Sequence, residues 1–152
     1  MKRVRYDYGT FVKDLRNLAD RLPEKYDAIV AVARGGMTMA HMMGEYLDIR
    51  PVFVINSIGY EGTRKLDAPH VFNVPELPDG QKVLILDDIA DSGETLASVR
   101  RTLQERYPDV DFTTATLFYK PKKSIVEPDL WLKEAGDEWI DFFWSDDLRE
   151  MD

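Results

Sequence analysis

The sequence of 152 residues contains no cysteine. That excludes thiolate catalysis, Cys-ligated zinc, iron–sulfur clusters and disulfide frameworks, and it suits a reducing interior. Histidine is almost as scarce, with His41 and His70 the only two, and neither has neighbours in the pattern of a triad or a metal site. His41, set among methionines, reads as a packed or partly exposed side chain. No apolar run is long enough to cross a bilayer, and the opening residues, Met1 to Asp7, lack the apolar core of a signal peptide. A cytoplasmic location is expected. Positive charge is also in short supply: 28 acidic against 20 basic residues leave a net charge of -8. The averaged field therefore repels phosphate backbones and anionic membranes, so neither nucleic acid nor a membrane is an expected partner. A small anionic substrate stays compatible if cations gather locally, because carboxylates farther than about 8 Å are largely screened.

What is present suits one domain spanning residues 1–152, long enough to remove roughly 68–70% of its unfolded surface from water. There are no repeats, low-complexity tracts or linkers. Phe11, Leu15, Leu18 and Leu22 recur at helical spacing and Pro23 closes the run, which predicts an amphipathic helix over Phe11 to Leu22. Ala28 to Ala33 is a short apolar run followed by Arg34-Gly35-Gly36 and a helical stretch from Met37 to Tyr46: strand, turn, helix. Val52 to Ile55 predicts another strand. The segment from Ser57 to Pro78 is polar and irregular, and its length marks it as a functional loop. Val83 to Leu86, apolar on both faces, fits the middle of a parallel sheet covered by helices. A helix is expected from about Glu94 to Tyr107, then a strand from Phe112 to Tyr119 that ends at Lys120. The alternation predicts an α/β fold, an open and mostly parallel sheet flanked by helices, with ligands at the carboxyl ends of the strands. Arg34-Gly35-Gly36, Asp87 to Thr95 and Lys120 each begin where an apolar strand stops, so three polar clusters fall on one rim.

Within Asp87-Asp88-Ile89-Ala90-Asp91-Ser92-Gly93-Glu94-Thr95, two adjacent carboxylates close a buried strand and a third precedes a turn that opens a helix. Amides at such a turn, with the Ser92 and Thr95 hydroxyls, can cradle a phosphate. Asp87 and Asp88 suit ribose hydroxyls or Mg²⁺, which prefers oxygen ligands. A helix cap accounts for Asp91-Ser92 alone, but not for two acids at the end of an apolar strand, where an unpaired charge costs roughly several kcal/mol. Glycines at Gly35 and Gly36 let amides approach an anion closely, although a Gly-Gly turn is common in itself. Lys120 is a solvated lysine unless it points into the cleft.

The run from Val83 to Thr95 resembles the phosphoribosyl-diphosphate (PRPP) signature of type I phosphoribosyltransferases. Over nearly the whole chain the sequence is similar to the bacterial xanthine-guanine branch of that family. The resemblance implies that Asp87 and Asp88 hold the ribose hydroxyls and the Mg²⁺ shell. It likewise implies that Asp91, Ser92, Gly93, Glu94 and Thr95 bind the 5′-phosphate, with Asp91 also serving as the catalytic group near purine N7. Arg34, Gly35 and Gly36 stand where the family has its pyrophosphate loop. Lys120 stands at its base-recognising lysine, and Trp139-Ile140 at its purine-stacking segment, with the Ile140 carbonyl reading position 2. The other aromatics nearby, Phe142, Phe143 and Trp144, are expected in core or interface packing, and the acidic tail from Ser145 to Asp152 in solvent.

The loop of about 57–78 looks like the family's mobile lid, with Arg64 as candidate cation for the diphosphate and Lys65 second, although a solvated loop accounts for it equally. Here Gly59 precedes Tyr60 where the family has a serine, so a serine hydroxyl has no counterpart. Residues of about 120–146 would form a small C-terminal hood over the base. The implied activity is transfer of 5-phosphoribosyl from PRPP to a 6-oxopurine, with Mg²⁺, in a homodimer or homotetramer. A phosphoribosyltransferase for adenine or a pyrimidine stays open as the alternative, as does a non-catalytic PRPP-binding regulator.

Overall fold

The computed structural model describes residues 1–151, apart from the side chains of Tyr60 and Glu61; Asp152, the end of the acidic tail, lies outside the described residues. The chain opens with strand β1 (Arg3–Tyr6) and helix α1 (Tyr8–Asp20). Asp7 fixes the start of α1 by accepting a hydrogen bond from the Thr10 N–H at 2.8 Å. The helix therefore begins ahead of Phe11, the first residue of the apolar spacing, because the cap rather than the buried stripe sets the boundary. There follow β2 (Ala28–Ala33), α2 (Met37–Leu47), β3 (Val52–Glu61), β4 (Arg64–Phe72), β5 (Lys82–Ala90) and α3 (Glu94–Arg106). The chain ends with β6 (Asp111–Tyr119), β7 (Leu130–Glu134), β8 (Trp139–Phe142) and the short α4 (Phe143–Asp146).

The main sheet has the order β4-β3-β2-β5-β6-β7, parallel throughout except where β4 pairs antiparallel with β3. This is the expected α/β sheet. Its central strands β2 and β5 are apolar on both faces because both are covered. One face packs Ile29, Leu84 and Leu86 against Phe11, Leu15 and Leu18 of α1 and Met39 and Met43 of α2. The other packs Val30, Val83 and Ile85 against Leu96, Val99 and Leu103 of α3.

The segment from Ser57 to Pro78 is not the irregular loop expected from its composition. Most of it is an antiparallel hairpin, with Asn56 opposite Phe72 and Glu61 opposite Arg64, and a register shift between Ile58 and Tyr60. Its polar and proline residues are tolerated because β4 is an edge strand with few positions to bury. The hood also differs from expectation, since it is built from both ends of the chain: β8 pairs in parallel with β1, Trp139 opposite Arg3 and Phe142 opposite Tyr6. Phe142 stacks on Trp144 with centroids 4.7 Å apart, and Phe11 meets Phe143 edge-on at 5.3 Å, so Phe142 is core while Phe143 and Trp144 pack half-buried against it. The tail is mostly exposed, as expected, and within it Arg5 pairs with Asp147 at 2.7 Å and Glu150 at 3.0 Å.

Candidate active site

β5 carries its hydrogen bonding past the apolar run, so Asp87 and Asp88 are strand residues rather than loop residues. Asp87 is 8% exposed and accepts a hydrogen bond from the Asp88 N–H at 2.8 Å. Burial, and then the adjacent Asp88 charge, push the Asp87 carboxyl well above the usual carboxylate range. Burial pushes Asp88 up to about 6, against hydrogen bonds that favour its ionised form. The Asp88 carboxylate lies against Gly35 so closely that a Cβ there would overlap it, and a Cβ on Gly36 would overlap the Leu86 carbonyl oxygen. Both glycines are thus required by the approach of the β2–α2 turn to β5. Arg34 is exposed at the end of β2, and the Ala33–Arg34 peptide is cis.

After β5 the chain turns through Asp91, Ser92 and Gly93, the last with φ +78°, and Ser92 Oγ accepts from the Glu94 N–H at 3.3 Å. The N-cap residue, Gly93, has no side chain to cap the helix, and beyond the Glu94 N–H no first-turn amide of α3 meets a side-chain acceptor among the described residues, so those amides are open to an anion. The segment after β6 is sewn onto this turn. Lys120 N–H donates to the Ala90 carbonyl at 3.0 Å, and Ile125 N–H to the Ser92 carbonyl at 2.8 Å.

This brings Lys120 into the site. It is 7% exposed, with Nζ 3.5 Å from Asp91 Oδ2. Asp88, Ile89, Asp91, Lys120, Trp139 and Ile140 line one cleft of about 370 Å³. Trp139 is 48% exposed, offering a free ring face, whereas Ile140 is buried. A second cleft, of about 360 Å³, has Asp91, Ser92, Glu94 and Thr95 on one wall and Gly59 and Lys65 of the hairpin on the other. The acids, the phosphate-type turn, the lysine and the tryptophan are therefore assembled on one rim.

Among the cations read from the sequence, Arg64 lines neither cleft; Lys65 does, with Nζ 3.5 Å from Glu94 Oε2. Arg34 also lines neither and reaches the site only through the neighbouring Gly35. Lys123, which the sequence reading did not single out, is ion-paired with Asp91 Oδ1 at 2.7 Å. The signal for it was Pro121, which turns the chain so that a lysine three residues past Lys120 returns to the cleft. Arg3 was also missed; it grips Asp141 through two hydrogen bonds, at 3.0 and 2.6 Å, beside the tryptophan strand.

No cluster of three or more metal-ligating side chains occurs among the described residues. Asp87 and Asp88 supply carboxylate oxygens only, the donor type that Mg²⁺ prefers.

Residues 10–148 match the phosphoribosyl transferase domain family. The chain is 34% identical over 140 residues to the xanthine-guanine phosphoribosyltransferase of Idiomarina loihiensis, covering 90% of this chain and 83% of that one. It is 36% identical over 153 residues to the protein of the same name from a Ruegeria species, covering 92% and 84%. Among solved structures, the Helicobacter pylori xanthine-guanine-hypoxanthine phosphoribosyltransferase matches with a TM-score of 0.88 and 39% identity, covering 97% of this chain and 96% of that one. A purine phosphoribosyltransferase from Pyrococcus horikoshii matches with a TM-score of 0.81 and 31% identity, covering 95% of each chain.

Proposed function

The chain belongs to the phosphoribosyl transferase family, and from that premise we propose that it transfers the 5-phosphoribosyl group of PRPP to N9 of a 6-oxopurine and releases pyrophosphate. The observation that carries the base class is the buried Lys120 ammonium beside Asp91 in a cleft walled by Trp139 and Ile140. An ammonium only donates, so it matches a purine oxygen at position 6 and opposes an amino group there. Leaving such a donor unpaired costs about 1–3 kcal/mol, which is roughly five- to 150-fold against adenine.

In this reading the 5′-phosphate sits on the amides of Ser92 to Thr95 and the hydroxyls of Ser92 and Thr95. Gly35 and Gly36 bring amides to the diphosphate, and Arg34 offers charge to the departing oxygen. Asp87 and Asp88 hold the ribose hydroxyls and Mg²⁺, which when bound supplies positive charge to the pyrophosphate oxygens. Trp139 stacks on the base, Lys120 donates to its 6-oxygen, and the Ile140 carbonyl accepts from position 2. The N9 lone pair forms the bond to C1′ as the bond from C1′ to the pyrophosphate oxygen breaks. The proton leaves from N7 to Asp91, whose carboxylate lies in the same cleft. The β3–β4 hairpin, with Arg64 and Lys65, is read as the lid that excludes water. A homodimer or homotetramer and a cytoplasmic location belong to the same proposal; no helix among the described residues is long and apolar enough to cross a membrane.

The test is nucleotide formation by purified protein with Mg²⁺ and PRPP, offered guanine, xanthine, hypoxanthine, adenine and uracil. Product is expected from the 6-oxopurines, at least about fivefold faster than from adenine. Asp91→Asn should fold normally yet lose most of the turnover. Equal use of adenine, or no product from any 6-oxopurine, would overturn the proposal.

A further inference from the structure

Asp91 faces two lysines where its proposed role calls for one. Lys120 approaches Oδ2 at 3.5 Å, and Lys123 approaches Oδ1 at 2.7 Å. Oδ1 is closed off from solvent, and among the described residues no well-aligned hydrogen bond reaches it. The oxygen is covered by a charge without being satisfied by a donor in good geometry. The two lysines differ in how firmly they are held. The Lys120 side chain is 9% exposed and Lys123 is 63% exposed. An ion pair that open to water contributes little and exchanges readily.

Lys123 also belongs to the neighbouring cleft, where it lines the wall with Ser92, Glu94 and Thr95. Its backbone is tied to both parts of the site. Lys123 N–H donates to the Lys120 carbonyl at 3.1 Å, and two residues on, Ile125 N–H donates to the Ser92 carbonyl at 2.8 Å. One flexible ammonium is thus anchored where it can serve the carboxylate of Asp91 or an anion on the turn at Ser92.

We propose that Lys123 is a phosphate-responsive positioning residue: in the empty site it covers Asp91 Oδ1, and the 5′-phosphate of the ribosyl donor draws it off, opening that oxygen to the purine. The inference rests on the function proposed above. A phosphate carries nearly two charges and strong acceptor oxygens against the single charge of Asp91, so it wins the ammonium. Asp91 keeps Lys120 as partner and gains a vacant acceptor, which is what a purine N7–H requires. Donor and base therefore bind with positive coupling, and by linkage each raises the affinity of the other by the same factor.

The experiment uses ribose 5-phosphate, which carries the phosphate without the leaving group, and hypoxanthine as the base. Binding of each alone and in the presence of the other is measured by calorimetry for wild type, Lys123→Met and Lys123→Arg, with kcat and both KM values alongside. In the wild type, ribose 5-phosphate should tighten hypoxanthine binding at least about fivefold. Lys123→Met, similar in length but uncharged, should bind ribose 5-phosphate about five- to tenfold more weakly and show coupling near one, because Oδ1 is already open. Its KM for PRPP should rise while kcat changes by less than about threefold, and Lys123→Arg should restore the coupling. A lysine with only a structural role would leave the coupling intact. Wild-type coupling in Lys123→Met, or none in the wild type, overturns the inference. If the wild type forms no nucleotide from PRPP and a 6-oxopurine, it is instead the proposed function that falls.

Discussion

Asp88 shows how one side chain can be placed against the interests of the fold. It follows the apolar run of β5, sits beside another acid and is pressed against Gly35. Its carboxyl is pushed up to about 6, chiefly by burial. A carboxyl whose pKa is raised by folding favours the native state while protonated and opposes it once ionised. Without metal, the folded protein therefore loses stability as pH climbs from about 4 through about 6, and the loss persists above that. Asp88→Asn removes the ionisation. The variant should match the wild type near pH 4 and exceed it by roughly 1–2 kcal/mol at pH 7.5, allowing for the carboxyl's partial contact with water. Urea denaturation in the presence of a chelator across that range measures the difference. Equal stabilities at both ends would show that the acid pair places no load on the fold. The same variant should be impaired in PRPP use, since the group that loads the fold is the one proposed to meet the ribose and Mg²⁺.

Among the elements, β8 depends most on a distant segment. It carries Trp139 and Ile140, and among the described residues its only strand neighbour is β1, at the other end of the chain. β1 is in turn fastened to α1 by Tyr6, whose buried hydroxyl donates to Asp14 Oδ2 at 2.6 Å, while Lys133 of β7 holds the same oxygen at 2.8 Å. Tyr6→Phe keeps the ring contacts and removes that bond. It should cost about 1–2 kcal/mol and raise the KM for the base several-fold, with the KM for PRPP unchanged because β5 and its turn are untouched. Steady-state kinetics with each substrate varied separately distinguish this from a general loss. β1 and β8 also mark where sequence reading stops. β2 and β5 are legible because a strand covered on both faces is an unbroken apolar run, and the helices because their stripes repeat. β1, β4, β7 and β8 are short or half exposed and interrupted by charged residues, and β1 and β8 pair across nearly the whole chain, so no local pattern declares them. The site divides the same way. Asp87 to Thr95 and Lys120 stand out because polar residues there interrupt apolar strands. Lys123 and Lys65 owe their positions to a turn and a hairpin whose course is set by tertiary packing.

For the molecule as a whole, the polar rim is assembled from the ends of β2, β5 and β6, which are bonded to one another in the middle of the sheet. Those three ends can meet one ligand only when helices on both faces are packed, because each strand is buried against one cluster above and another below. A ligand spanning the rim therefore binds the complete fold and none of its parts, and its binding free energy adds to global stability. At a free concentration of 100 times its dissociation constant, that addition is about 2.7 kcal/mol. In a domain of this size, the gain corresponds to an upward shift of the thermal midpoint of roughly 5–10 °C. The expected result is a single transition that moves upward as a unit when a 6-oxopurine nucleoside monophosphate is added with Mg²⁺, read by scanning calorimetry. A midpoint that does not move would mean that the strand ends do not form one binding surface. A transition that splits, with only the β1–β8 hood responding, would place the ligand on the hood alone.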